Sequence, residues 1–269
     1  MSAMQTILIT GASSGIGAGL ARHYARSGAR LVLLARRVDL LESLAAELRG
    51  LGAPVHVQVG DVTQDGDVAR AIEGLAEQGI DIDVVYANAG FGVAGSVEKL
   101  TLADYQRQFD TNVMGVLRTV KEALPALRAS RGQLVLMGSV AGYAASGGMS
   151  AYSMSKFAVR ALAETLHADL APHGIGVTLV SPGFVDSDIR RTNNHGVLQP
   201  AAPDPIPTWL RVRTTVAARQ IVRAVQRRRA EVVITGHGKL IVFLARHFPG
   251  LTRAIGRRLY RGRPEPGSG

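Results

Sequence analysis

The chain is predicted to be an α/β protein, a doubly wound parallel sheet of about seven strands flanked by helices. Three observations predict it. Short apolar runs alternate regularly with helix-like segments. Most of the runs are unbroken Val/Ile/Leu rather than alternating, as expected of strands covered on both faces. No composition break interrupts the pattern before residue 189. The strand segments are 6–10 (TILIT), 30–35 (RLVLLA), 54–59 (PVHVQV), 82–87 (IDVVYA), 132–138 (GQLVLMG) and 175–181 (IGVTLVS), with 231–235 (EVVIT) as a seventh. The helical segments are 17–27, 39–50, 65–78, 101–129, 151–172 and 215–228. In the first of these Leu20, Ala21, Tyr24 and Ala25 form an apolar stripe. Residues 1–238 therefore read as one domain, with a loop at 186–213 that holds four prolines within 193–208. Residues 239–269 read as a basic amphipathic extension with a disordered end, RGRPEPGSG.

With 269 residues, 46% of them hydrophobic, the chain can bury a sizeable core, and 31 glycines suit a fold with many tight turns. Cysteine is absent, which excludes disulfides, thiolate zinc sites and a cysteine nucleophile. His23, His56, His167 and His173 show no metal-ligand spacing, so no metal site is predicted. No signal peptide and no apolar stretch of the roughly 20 residues needed to span a bilayer is visible, so a cytoplasmic location or a cytosol-facing surface is expected.

The net charge of +10 is unevenly placed: residues 1–189 carry 15 Lys/Arg against 18 Asp/Glu, and residues 190–269 carry 16 against 3. A basic segment of this kind meets an anionic partner or forms a solvated face. The arginines are not interleaved with aromatic residues that could stack on bases, which argues against nucleic acid. Within 240–261, Leu251, Ile255 and Leu259 fall on one helical stripe, with Arg253, Arg257, Arg258 and Arg261 mostly elsewhere. That pattern fits peripheral contact with an anionic membrane; a helix packed on the domain or on a second subunit fits it equally.

Directly after the first strand, Thr10-Gly11-Ala12-Ser13-Ser14-Gly15-Ile16-Gly17 opens the first helix. Glycines here let the backbone turn tightly and approach a pyrophosphate, while the helix N-terminus offers free N–H groups. Later in the chain Tyr152 and Lys156 stand four residues apart in YSMSK, on one face of a helix. A neighbouring ammonium is expected to lower the phenol's pKa and suit it to exchange a proton with a carbonyl or alcohol oxygen. Tyr-x-x-x-Lys is common by chance; Ser139, at the end of the strand before it, makes the pair specific.

These segments, in order with Asp61-Val62, Asn88-Ala89-Gly90, Asn112 and Pro182-Gly183, resemble the short-chain dehydrogenase/reductase family from Thr10 to about Ser187. The resemblance implies a single-domain Rossmann-type fold and an oxidoreductase that interconverts a carbonyl and a secondary alcohol. It implies that Gly11, Ser13, Ser14, Gly15, Ile16 and Gly17 hold the cofactor, that Asp61 and Val62 flank its adenine, and that Asn88, Ala89 and Gly90 lie beneath it. Pro182 and Gly183 shape the nicotinamide pocket, and Ser187 stands where members often carry Thr. By the same resemblance Tyr152 is the general acid/base, Lys156 tunes it and binds the nicotinamide ribose, Ser139 orients the substrate oxygen, and Asn112 helps hold a water-linked proton path. Dimers and tetramers are common in the family, so a homo-oligomer is expected.

The second strand ends in Arg36 and Arg37. NAD enzymes commonly place a carboxylate there for the ribose 2′-hydroxyl, whereas guanidinium groups suit a 2′-phosphate. The predicted cofactor is NADP(H) rather than NAD(H). The substrate is a small-molecule carbonyl or alcohol, and the basic C-terminal segment points to a lipophilic one such as a long-chain keto lipid or a steroid. His195, in the variable loop, and Trp209, with Leu210 and Ile206, stand near the expected substrate mouth as a contact, a lid or a loop anchor. The alternatives are an NAD-dependent alcohol dehydrogenase, and a non-catalytic cofactor-sensing regulator on the same fold. The regulator would have little need for Asn112, Ser139, Tyr152 and Lys156 together.

Overall fold

The computed structural model describes residues 4–261, with side chains through Arg258. Seven strands form one parallel sheet: β1 (Thr6–Thr10), β2 (Arg30–Ala35), β3 (Val55–Val59), β4 (Val84–Ala87), β5 (Gln133–Met137), β6 (Gly176–Pro182) and β7 (Glu231–Ile234). Their order across the sheet is β3-β2-β1-β4-β5-β6-β7. The chain starts in the middle, winds outward through β2 to β3, returns to β4 beside β1, and then winds the other way. The two windings diverge between β1 and β4, and ligands of such sheets gather at the strand C-termini of that reversal.

Unbroken apolar runs become inner strands because both faces are covered. All five residues of β1 and all four of β4 are buried, whereas β3, at the edge, is mostly half-exposed. Successive residues point to opposite faces. Ile7 and Ile9 pack under α1 (Gly15–Ala25), α2 (Val38–Gly50) and α7 (Thr214–Gln226), against Leu20, Leu41, Leu48 and Ile221. Leu8, between them, faces α3 (Asp67–Ala76), α5 (Gly115–Ser130) and α6 (Ser150–Leu170), against Leu75, Val120 and Val159. Full burial of each such Leu, Ile or Val contributes roughly 1.5–3 kcal/mol, so the two layers clamp the sheet from both sides.

Two expectations change. The helix expected over 101–129 is two, α4 (Leu102–Phe109) and α5, joined by a π-helical turn at Asp110–Met114. A π turn places one extra residue within the helix, and here it contains the fully buried Asn112. The segment 240–261 falls in α8 (Gly236–His247) and α9 (Pro249–Arg261), because Pro249 has no N–H to continue α8 and instead starts a new helix, which carries Leu251 and Ile255. Trp209 is 81% exposed and is neither lid nor anchor.

Of the C-terminal helices, α8 packs on the domain. Val242, Ile241 and Ala245 meet Val140, Tyr143 and Val233, and Arg246 pairs with Glu231 at 2.6 Å. Leu240, Phe243, Phe248, Leu251 and Ile255 remain exposed. The side chains of Leu259 and Arg261, and the tail 262–269 expected to be disordered, lie outside the described residues.

The loop 186–213 has little regular structure, yet it is pinned. Arg190 grips Asp204 through Nε and Nη2 at 2.8 and 2.7 Å, and Arg211 reaches the same carboxylate at 3.1 Å. Arg190 also donates to the Val185 carbonyl at 3.0 Å, and Val185 and Val212 form a parallel bridge. The Arg190 hydrogen bond, with the Ile206 N–H and the charges of both arginines, lowers the Asp204 carboxyl from 3.8 to about 2. This depressed pKa contributes stability that is fully present above pH ~4 and lost as pH falls through about 2. Asp204→Asn is expected to lower stability by ~2 kcal/mol at pH 7, with the gap from wild type closing as pH approaches 2; equal melting temperatures of the two proteins at pH 7 would remove the staple.

Candidate active site

The cavity lies at the reversal point, where β1 ends in Thr10. The Thr10 hydroxyl accepts the Asn88 and Ala89 N–H groups at 3.0 and 3.1 Å and donates to the Tyr86 carbonyl at 3.1 Å. Asn88 returns two bonds, donating Nδ2–H to the carbonyls of Thr10 at 2.8 Å and Gly11 at 3.2 Å. The glycine turn is thereby held against the end of β4. Gly11 lies at φ +65°, and a Cβ there would meet the Ala89 Cα at 2.7 Å. Gly17 is excluded from a side chain by the Gly11 carbonyl and by Asn88 Nδ2 at 2.8 Å. No residue but glycine fits either place.

Beyond this knot runs a cavity of about 590 Å³. Gly11, Ser13, Ser14, Gly15 and Ile16 form one wall, Arg36, Arg37, Asp61 and Val62 one end, and Asn88, Ala89 and Gly90 the base. Ser139, Tyr152, Lys156, Pro182, Gly183 and Ser187 line the remainder. Of the residues expected at the site, Gly17 and Asn112 do not line the cavity. Gly17 serves the close packing of helix on strand. Asn112 is bonded in both directions to the Phe91 backbone, at 3.0 and 3.1 Å, and donates to Ser155 Oγ at 3.3 Å. Ser155 in turn donates to the Tyr152 carbonyl at 2.7 Å, so Asn112 braces the helix turn between Tyr152 and Lys156.

At the Arg36 end, Arg36 Nη1 lies 3.4 Å from Asp61 Oδ2, and its side chain is 56% exposed. Arg37 donates to the hydroxyls of Ser14 and Ser13 at 2.6 and 3.2 Å, which ties the β2 end to the glycine turn. Asp39 lies on α2 and does not line the cavity. These features suit a dinucleotide: a glycine turn and the first residues of α1 along the cavity, and cationic donors at one end.

At the other end, β5 delivers Ser139, whose Oγ accepts the Ala141 N–H at 3.1 Å. Helix α6 delivers Tyr152 and Lys156 to the same cavity. The Lys156 Nζ donates to the Met137 carbonyl at 2.8 Å and stands 5.7 Å from the centre of the Tyr152 ring. Burial lowers Lys156 to about 8, so its ammonium persists at neutral pH and is lost as pH rises through that value. Burial pushes the phenol up, and the groups that act against it are the Ser139 hydroxyl and the charge of Arg190.

Arg190 was missed as a site residue, as were Phe91, Val185, Ile189, Thr192, Val197 and Leu198, which also line the cavity. The run Ile189-Arg190-Arg191 held no signal for it, since its partner Asp204 lies in a proline-rich stretch without periodicity. His195 does line the cavity.

The short chain dehydrogenase family model matches residues 5–197. An 11-beta-hydroxysteroid dehydrogenase A of Sesamum indicum is 35% identical over 227 residues, 82% of this chain and 65% of that protein. The oxidoreductase UcpA of Escherichia coli K12 is 40% identical over 185 residues, 67% of this chain and 69% of that one. Among solved structures, a short-chain dehydrogenase from Sphingobium yanoikuyae in complex with NADPH superimposes with a TM-score of 0.75 at 29% identity, covering 99% of each chain. One from Burkholderia phymatum in complex with NAD gives 0.80 at 27% identity, covering 98% of each. The chain belongs to the short-chain dehydrogenase family and is an NAD(P)(H)-dependent oxidoreductase acting on carbonyl and alcohol groups.

Proposed function

We propose that the protein is an NADP(H)-preferring reductase or dehydrogenase of a lipophilic carbonyl or secondary alcohol. The observation that carries the cofactor preference is the pair of guanidinium groups at the end of β2, with Arg36 largely exposed at the mouth of the cavity. Asp61 is the only carboxylate lining that end of the cavity among the described residues, and it faces Arg36 at 3.4 Å. NADPH in the Sphingobium yanoikuyae relative supports this reading. The Burkholderia phymatum relative, with NAD, is what an NAD-dependent alternative rests on.

The bound nicotinamide supplies or accepts the hydride. The chain's own residues do the rest. Gly11 to Ile16 seat the pyrophosphate, Asp61 and Val62 flank the adenine, and Asn88, Ala89 and Gly90 underlie the cofactor. Pro182, Gly183 and Ser187 bound the nicotinamide end. Ser139 hydrogen-bonds the substrate oxygen, and Tyr152 gives it a proton in reduction or removes one in oxidation. Its phenol, raised by burial, is protonated at neutral pH and so is poised to donate. Lys156, fixed by the Met137 carbonyl, holds the nicotinamide ribose. Asn112, bonded to Ser155, supports the water-linked path toward Lys156.

Phe91, Val185 and Ile189 line the cavity, with Ile189 and Tyr152 both close to Gly92, which suits an apolar molecule with one polar group. The steroid dehydrogenase of Sesamum indicum is in keeping with that. Peripheral contact with an anionic membrane belongs to the same reading. No helix among the described residues is long and apolar enough to cross a membrane, but Phe248, Leu251 and Ile255 lie exposed beside Arg253, Arg257 and Arg258, with no acidic residue in α8 or α9.

Arg36→Asp is expected to invert the preference, weakening NADPH binding about ten-fold or more while NADH binding holds or improves. Equal dissociation constants for the two cofactors in the wild type would defeat the assignment. NADPH consumption across aliphatic, keto-lipid and steroid ketones tests the substrate class; turnover confined to small polar ketones argues against a lipophilic one. Co-sedimentation with phosphatidylserine vesicles is expected to fall about ten-fold or more in an Arg253→Glu/Arg257→Glu variant, because each basic residue near such a surface contributes about 1 kcal/mol. Unchanged partition would end the membrane reading.

A further inference from the structure

The segment that leaves β6 passes close to the end of β7, and the C-terminal region grips it there. Gly183 has no space for a side chain: Thr235 Oγ1 would meet a Cβ, and His237 Nε2 would lie 2.6 Å from it. Next along the chain, Phe184 donates its backbone N–H to His237 Nε2 at 3.0 Å. The two rings are stacked, with centroids 5.0 Å apart and an interplanar angle of 24°. On the opposite side, Thr235 is held at φ 83°, a region that β-branched residues rarely adopt. In that conformation its hydroxyl accepts the Gly238 N–H at 3.1 Å and stands 3.0 Å from His237 Nε2.

These bonds define the state of the ring. Nε2 receives a backbone N–H, so it carries no proton of its own, and the imidazole is neutral with its proton on Nδ1. The Thr235 hydroxyl accepts from Gly238 at 3.1 Å and packs 3.0 Å from the same Nε2. Burial keeps the ring in that form by lowering its pKa.

We propose that His237 is a positioning residue for the nicotinamide end of the site: its neutral ring and the capping hydroxyl of Thr235 hold the Gly183–Phe184 backbone in place. Pro182, Gly183, Val185 and Ser187 line the cavity on either side of Phe184, so a shift of this backbone moves that wall. His237 does not line the cavity; it acts through Phe184. The catalytic consequence rests on the reductase reading above, whereas the backbone consequence does not.

The test separates the two. In the cofactor-free protein, His237→Leu is expected to speed hydrogen exchange of the Phe184 amide about ten-fold, since it removes the half-buried acceptor of that N–H. His237→Gln, whose amide oxygen reaches the place of Nε2, is expected to restore exchange to within about three-fold of wild type. With NADPH and the ketone turned over fastest, His237→Leu is expected to lower kcat about ten-fold and to leave the NADPH dissociation constant within about three-fold, because the glycine turn and Arg36 are untouched; His237→Gln recovers kcat. Should His237→Leu not fold, His237→Asn replaces it, its amide being too short to reach the Phe184 N–H. Unchanged exchange in His237→Leu, or no recovery in His237→Gln, overturns the proposal. A wild type that turns over no ketone defeats the reductase reading and leaves the exchange result to judge His237.

Discussion

At the reversal of the sheet one hydroxyl, that of Thr10, receives the N–H groups of Asn88 and Ala89 and gives its hydrogen to Tyr86. Asn88 answers by donating to the carbonyls of Thr10 and Gly11. These bonds bring the ends of β1 and β4 so close that Gly11 and Gly17 have no room for a Cβ. The glycine turn, the start of α1 and the base of the cavity all take their positions from this knot. Its cost is the loss of side-chain packing at the centre of the sheet edge. That loss is offset by the two apolar layers on the faces.

The proton-handling end depends on the same sheet by another route. β5 lies beside β4, so Ser139 at its end reaches the cavity, and α6 returns Tyr152 and Lys156 to the same place. Burial raises the phenol and lowers the ammonium, and the positive charge acting on Tyr152 comes from Arg190 in the pinned loop. The loop that shapes the substrate end therefore also bears on the general acid, and Asp204 is the group that holds Arg190 in position.

Much of this was legible in the sequence because the signals are local. Apolar runs such as LVLLA must be covered on both faces, a glycine turn must follow the first strand, and Tyr152 and Lys156 share a helix face at i and i+4. What was not legible depends on partners distant in the chain. Nothing around Asp204 announces Arg190, and nothing around His237 announces the Phe184 amide 53 residues away. The π turn that contains Asn112 leaves no mark in the periodicity of 101–129. The contact of Lys156 Nζ with the Met137 carbonyl, 19 residues away, is likewise set by the fold and not by helix spacing.

Tyr152, at the end of this cavity, is proposed to exchange the proton that accompanies hydride transfer. NADPH oxidation by Tyr152→Phe, measured on the ketone that the wild type reduces fastest, tests it most directly. The predicted result is a loss of turnover of about 100-fold or more, with NADPH still bound at near wild-type affinity. A variant that keeps more than about a tenth of the wild-type rate would contradict the claim and send the search for the general acid elsewhere in the cavity.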